Sequence, residues 1–214
     1  LRYFNEYDNI AILLKYLREN YFTNIKPNKS IKTLAENIFL ESVKRIAETI
    51  GRIIVSGFVH GVLNTDNFNV TGEVFDYGPW RFIEFANTNF TAAYFDTNGR
   101  YSFGRQPEAA LWALTQLGKS LDEFIEEKVI IDTLNQFSNN FHKSLKKHFC
   151  WRMGIEDIDS KNLNEIMKIL LNESEKNKIN YSNMFYDFYG GRDSIIDCIK
   201  TNYGKKYKIN EFSK

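Results

Sequence analysis

Asp66, Asn67 and Asp76 are the residues of this sequence whose types and spacing could do chemistry. They flank two short β-like runs, Phe68 to Val70 and Glu73 to Phe75, separated by Thr71-Gly72, where Gly72 can supply the positive φ of a tight hairpin. Counting outward from a two-residue turn, Val70 faces Glu73, Asn69 faces Val74, Phe68 faces Phe75 and Asn67 faces Asp76. Opposed residues of an antiparallel pair have Cβ atoms about 4.5–5.5 Å apart on one face, so an amide oxygen and a carboxylate could share a cation there. Few protein oxygens plus nucleotide phosphates suit Mg²⁺, or Mn²⁺, better than Zn²⁺. Asp66 precedes the strand and can act on a second group as a base. An Asp-Asn pair beside a turn often serves turn geometry alone. The hairpin register is what favours a metal-nucleotide site.

Several elements must position these residues. Ile10, Leu13, Leu14 and Leu17 predict a first helix over Asp8 to Asn20, capped by Asp8 or Asn9. After Pro27, Ser30 can cap a longer helix whose stripe is Leu34, Ile38, Ile46, Ile50 and Ile53, ending at Gly57. Pro79 to Phe103 shows no sustained periodicity and reads as a long ordered loop with a turn at Asn98-Gly99. Pro107 suits a helix first turn, followed by Ala110, Leu111, Leu114, Leu117 and Leu121. Ile130, Leu134, Phe137, Phe141, Leu145 and Phe149 predict one core helix. Leu163, Ile166, Ile169 and Leu170 follow, then a polar loop from Asn172 to Asn180, and a last helix starting near Asp193. The fold class is mainly α with a small β-hairpin (α+β). The expectation is one domain over residues 1–214: a catalytic and metal loop at 57–79, a long loop at 79–103 and a helical remainder at 106–214.

Protein kinases show a similar order: a His-led catalytic loop ending in a metal-binding Asn, a hairpin, then Asp-Phe-Gly. Here His60 precedes Asn67 by seven residues, and Asp76-Tyr77-Gly78 stands where Asp-Phe-Gly would. The kinase base lies two residues after that His, and here the position is Val62, which accepts no proton. An ordinary phosphotransferase is therefore disfavoured. The run GFVHGVLNTDN, then DYGP, then GRYSFGRQPEAALWAL from Gly99 to Leu114, resembles the SelO family of protein adenylyltransferases. A weaker likeness extends through the helix before Gly57 and the segment Arg152-Met153-Gly154-Ile155.

The resemblance implies a protein-kinase-like C-lobe that binds ATP in a reversed orientation. It would transfer AMP to Ser, Thr or Tyr hydroxyls of protein substrates. Asp66 would correspond to the proton acceptor, and Asn67 and Asp76 to the Mg²⁺ ligands, with Asp76 also meeting the nucleotide. Family members carry phosphate-cradling glycines, an ATP-contacting Lys with its partner Glu, and further Arg residues in an N-terminal half. No GxGxxG occurs here and the chain opens on Leu1, so the expectation is a C-lobe with its N-lobe absent. The competing reading is a truncated, non-catalytic remnant acting at most as a nucleotide- or protein-binding module.

Composition narrows the partners. With 28 basic and 27 acidic residues, no overall field favours nucleic acid or anionic lipid. No apolar run approaches the roughly 20 residues of a membrane span, and the start lacks a signal-peptide layout. Cys150 and Cys198 show no CxxC spacing and read as reduced thiols, which points to a cytoplasmic setting or an organelle matrix. His60 reads as a structural residue, and His142 and His148, six apart, do not share a helix face for a metal. Arg100 and Arg105 read as loop-anchoring ion-pair partners ahead of a phosphate site, and Trp80, Trp112 and Trp151 as packing residues. The basic tail, Lys205 to Lys208 and Lys214, reads as a solvated end.

Overall fold

The computed structural model describes residues 2–156 and 159–190. Cys198, the expected helix near Asp193 and the basic tail lie outside them. The described residues are mostly helical, with seven α-helices and one two-stranded antiparallel sheet, as the α+β class requires. Contacts divide the chain into two compact units: one of residues 1–50, 62–76 and 106–142, the other of residues 51–61, 77–105 and 143 onward.

The first unit contains α1 (Tyr7–Asn20), the longer part of α2 (Ile31–Ser56), α3 (Gln106–Ser120), α4 (Glu127–Leu134) and the start of α5 (Gln136–Met153). α1 bears no side-chain cap from Asp8 or Asn9; Glu6 holds the N-cap position. Ser30 does begin α2, with Oγ accepting from Thr33 N at 3.4 Å. The α2 stripe, Leu34, Ile38, Ile46 and Ile50, is buried as its 3.6-residue period predicts, and Phe39 is buried with it. Each such side chain contributes about 1.5–3 kcal/mol by leaving water. Helix packing is closest at Gly118 of α3, where a Cβ would meet Ile130 Cγ2 at 2.6 Å and Phe39 Cζ at 3.1 Å. No larger residue fits without displacing α4.

The stripe from Ile130 to Phe149 is not one helix. It breaks at Asn135, with Ile130 in α4 and Phe137, Leu145 and Phe149 in α5. Ile130, Phe137, Leu145 and Phe149 are all buried, so the apolar spacing runs on through the break and periodicity alone does not register it.

The second unit holds the end of α2, β1 (Phe58–Val59), β2 (Arg81–Phe82), the rest of α5, α6 (Ser160–Asn177) and α7 (Tyr181–Asp187). α2 stops at Gly57, at φ +75, where a side chain would also strike the Tyr181 ring at 2.7 Å. The expected loop 79–103 contains β2, which pairs with β1 in the register Phe58↔Phe82 and Val59↔Arg81. The polar stretch expected as a loop from Asn172 is helix as far as Asn177. Its polar residues lie on the solvated side of α6 while Leu163, Leu170 and Ser174 are buried. Ser174 Oγ accepts from Ala86 N and donates to Ile179 O, so this buried hydroxyl is satisfied twice.

Trp80 packs as expected, stacked on Phe58 with centroids 5.9 Å apart, though it, Trp112 and Trp151 are 47%, 51% and 77% exposed and none lies in the core. No helix among the described residues is long and apolar enough to cross a membrane.

Candidate active site

The segment after Gly57 starts in the second unit. β1 leads to His60, which is fully buried, with its ring 5.4 Å from that of Tyr77 and edge-on to Phe58 at 6.5 Å. This burial among aromatics agrees with a structural part for His60. At Gly61 the chain takes φ +88, and a Cβ would sit 2.7 Å from Pro79 Cγ, so glycine is required twice over.

From Val62 the chain belongs to the first unit, and so do all three sequence-predicted site residues. Thr65-Asp66-Asn67 forms one 3-10 turn, closed by Asn67 N donating to Asn64 O at 3.1 Å. Within it Asp66 is exposed and Asn67 is buried at 5% exposure. Asn67 Nδ2 donates to Val62 O at 2.7 Å. That bond fixes the amide and leaves Oδ1, the atom a hard cation would use, outside it. Val62 thus acts on the site through its backbone, while its side chain supplies no base.

The hairpin forms, in a register different from the expected one. Phe68 bridges Val74, Asn69 N donates to Glu73 O at 2.9 Å, and Phe75 N donates to Asn67 O at 3.2 Å. The turn is therefore three residues long, Val70-Thr71-Gly72, with Gly72 N returning to Asn69 O at 3.0 Å. This is the arrangement in which a turn is followed by a residue at positive φ, here Gly72 at +104. Contacts from α2 fix it: Thr49 Oγ1 donates to Gly72 O at 2.7 Å, and a Cβ on Gly72 would lie 2.5 Å from Arg45 Cβ.

As a result Asn67 is opposed by Phe75, and Asp76 comes one residue later. In a continuing strand Asp76 would turn to the other face. The strand does not continue, because Asp76 is left-handed at φ +57. A non-glycine residue there stores strain, and such strain gathers at functional sites. Asp76 is exposed, as are Tyr77 and Gly78 after it. The donor set is one amide oxygen on the 3-10 turn and one carboxylate just past the position opposite it, oxygen donors of the kind Mg²⁺ takes. No group of three or more His, Cys, Asp or Glu that could hold a metal occurs among the described residues.

Asp96 and Arg105 both hold the long loop. Asp96 accepts from the backbone N of Arg100 and of Tyr101, both at 2.8 Å, and Arg105 Nη1 donates to Gly99 O at 3.5 Å. Asp96 is the organiser that spacing alone did not single out. Its signal was the Asp two residues ahead of the Asn98-Gly99 turn, a carboxylate placed to accept turn amides.

Against known proteins, residues 1–202 match the family described as protein adenylyltransferase SelO. The chain belongs to the SelO family. It is similar to the protein nucleotidyltransferase YdiU of Trichormus variabilis, 34% identical over 187 residues covering 87% of this chain and 38% of that protein. The Synechocystis protein of the same name is 39% identical over 137 residues, 64% of this chain and 29% of its relative. A third, from Bacillus cereus, is 29% identical over 202 residues, 90% of this chain and 39% of the relative. This SelO chain thus spans about two-fifths of the length of the Trichormus and Bacillus relatives.

Proposed function

We propose that this chain is the kinase-like C-lobe of a protein adenylyltransferase that transfers AMP from ATP to Ser, Thr or Tyr hydroxyls of protein substrates. Asn67 and Asp76 would hold Mg²⁺ or Mn²⁺ with the nucleotide, and Asp66 would be the proton acceptor. The observation that carries the reading is the hairpin bond Phe75 N to Asn67 O. It opposes Phe75 to an asparagine whose amide is already oriented by Val62, with Asp76 one residue further along the chain. The SelO match supplies the transferred group.

In this reading the acceptor hydroxyl oxygen bonds to the α-phosphorus of ATP and the bond from that phosphorus to the pyrophosphate oxygen breaks. Pyrophosphate leaves with the electron pair, and the hydroxyl proton passes to the Asp66 carboxylate. Exposure of Asp66 on the 3-10 turn leaves it accessible to a macromolecular acceptor. The divalent ion, when bound, supplies positive charge against the phosphate oxygens. Asn67 is the fixed member of the pair, held from behind by a backbone carbonyl. Asp76 occupies a left-handed conformation that ends the hairpin strand. Two side chains and one ion leave much phosphate charge unmatched, so we propose that efficient transfer also needs a glycine-rich, Lys-bearing N-lobe.

Labelled ATP tests this. The chain is assayed alone and joined to the part of the Trichormus protein that it does not cover, with label on the α- or the γ-phosphate. Protein labelling from α-labelled ATP, in the joined protein and only weakly in the chain alone, is expected. Label from γ-labelled ATP would make it a phosphotransferase; none from either, with nucleotide still bound, would make it a binding module.

A further inference from the structure

A groove of about 510 Å³ opens in the second unit, away in sequence from the hairpin. Its polar lining is Arg52 of α2, His148 and Arg152 of α5, and Ser182 of α7, while Phe82 of β2 and Trp151 form its apolar part. No Asp or Glu lines it. Phe82 and Trp151 are 55% and 77% exposed.

Arg152 is the informative residue. Its guanidinium is partly buried, Nη1 donates to Val55 O, Nη2 donates to Ser182 Oγ at 3.2 Å, and Cζ lies 4.1 Å from the centre of the Phe185 ring. All of these partners are neutral. No carboxylate lies within ion-pair distance of Arg152 among the described residues. Burial lowers its pKa, and the opposing influence comes from Tyr181 rather than from an acid. A cation taken partly out of water without a counter-ion is costly, and a carbonyl and an aromatic face offset only part of that cost. The carbonyl end of α2 explains why one cation sits near Val55. It does not explain the two exposed aromatics beside it, on the same wall as Arg52, whose Nε donates to His148 Nε2 at 3.2 Å.

We propose that this groove docks an acidic peptide segment of a partner protein. One carboxylate side chain lies against Arg152 and Arg52, and a neighbouring aromatic or large apolar side chain covers Trp151 and Phe82. A small inorganic anion would meet Arg152 and leave the aromatic surface bare. A polyanion such as nucleic acid would draw on a basic field that a net charge of +1 does not provide. A peptide meets both halves, and Trp and Arg are the residue types that dominate such contacts. This inference is independent of the AMP-transfer reading, and its test reads binding only.

The 214-residue chain is titrated against a fluorescein-labelled, end-capped peptide, Glu-Glu-Phe-Glu-Glu, with Lys-Lys-Phe-Lys-Lys as its counterpart, by fluorescence anisotropy. Saturable binding of the acidic peptide is expected, weakened by added salt and weakened about tenfold by Trp151→Ala and by Arg52→Gln. Trp151 is so exposed that its removal leaves folding intact, and thermal melts check both variants. The proposal is overturned if the acidic peptide fails to saturate at millimolar concentration, or if the basic peptide binds as well. It is equally overturned if the folded variants bind unchanged, or if inorganic phosphate or oligo-dT displaces the peptide at equal concentration.

Discussion

Asn67 donates its side-chain amide to the backbone carbonyl of Val62 at 2.7 Å, five residues back, and so closes the loop that carries Asp66. The bond uses only the backbone carbonyl of position 62, so it makes no demand on the side chain there. Asn67→Asp replaces the donor with a carboxylate facing that carbonyl in a buried position. The expected loss is about 1–3 kcal/mol of stability, the cost of an unmade buried hydrogen bond, read as a lower urea midpoint at unchanged slope. An unchanged midpoint would show that the bond holds nothing.

Asp76 separates conformation from chemistry. At φ +57, glycine is tolerated and alanine is strained by roughly 1 kcal/mol. Urea midpoints should therefore place Asp76→Gly close to the parent and Asp76→Ala below it. Both variants should lose Mg²⁺-dependent ATP binding in calorimetry. Retained binding in either would remove Asp76 from the metal site.

Asp66→Ala is expected to leave ATP affinity within about twofold while lowering AMP transfer by about 10²–10⁴, the usual contribution of a positioned proton acceptor. The comparison requires the joined protein and α-labelled ATP. Parallel loss of affinity and transfer would place Asp66 on the nucleotide instead of the acceptor.

Gly72→Ala tests what holds the hairpin. Its φ of +104 is closed to alanine and the new Cβ would lie 2.5 Å from Arg45 Cβ on a helix that cannot yield locally. Strain and overpacking together should cost about 2–4 kcal/mol. Thermal melts should show this loss, with Gly99→Ala as a milder control because its Cβ would meet nothing nearer than 3.8 Å.

Asp159 gives a pH dependence. It caps α6 by accepting from Lys161 N and Asn162 N, both at 3.0 Å. The Asn162 backbone bond, partly opposed by desolvation, holds its carboxyl below the usual range. A depressed folded-state pKa contributes stability above the unfolded value, about 3.9, which is lost as pH falls through the folded pKa. The difference in melting temperature between the parent and Asp159→Ala should be full at pH 7 and shrink below about pH 4. A difference constant down to pH 2.5 would show that the cap does not depend on charge.

Much of this protein was legible in its sequence. Helix positions follow from apolar spacing at 3.6 residues, and Gly57 and Ser30 mark the ends of α2 because local sterics and capping act over a few residues. The family follows from contiguous motifs around Asn67 and Gly99. Other features needed the folded chain. The hairpin register was set by Thr49 reaching Gly72 from α2, a contact across 23 residues that turns a two-residue turn into a three-residue one and places Phe75 opposite Asn67. The β1–β2 pair joins two-residue strands too short to carry any pattern. The interruption at Asn135 was hidden because apolar residues keep their three- and four-residue spacing across it. Arg152 reads as an ordinary helical cation until Phe185 and Ser182, three decades along the chain, fold over it. Short-range propensity and period are written into neighbouring residues; register, and the burial of a charge without its counter-ion, arise only when distant segments meet.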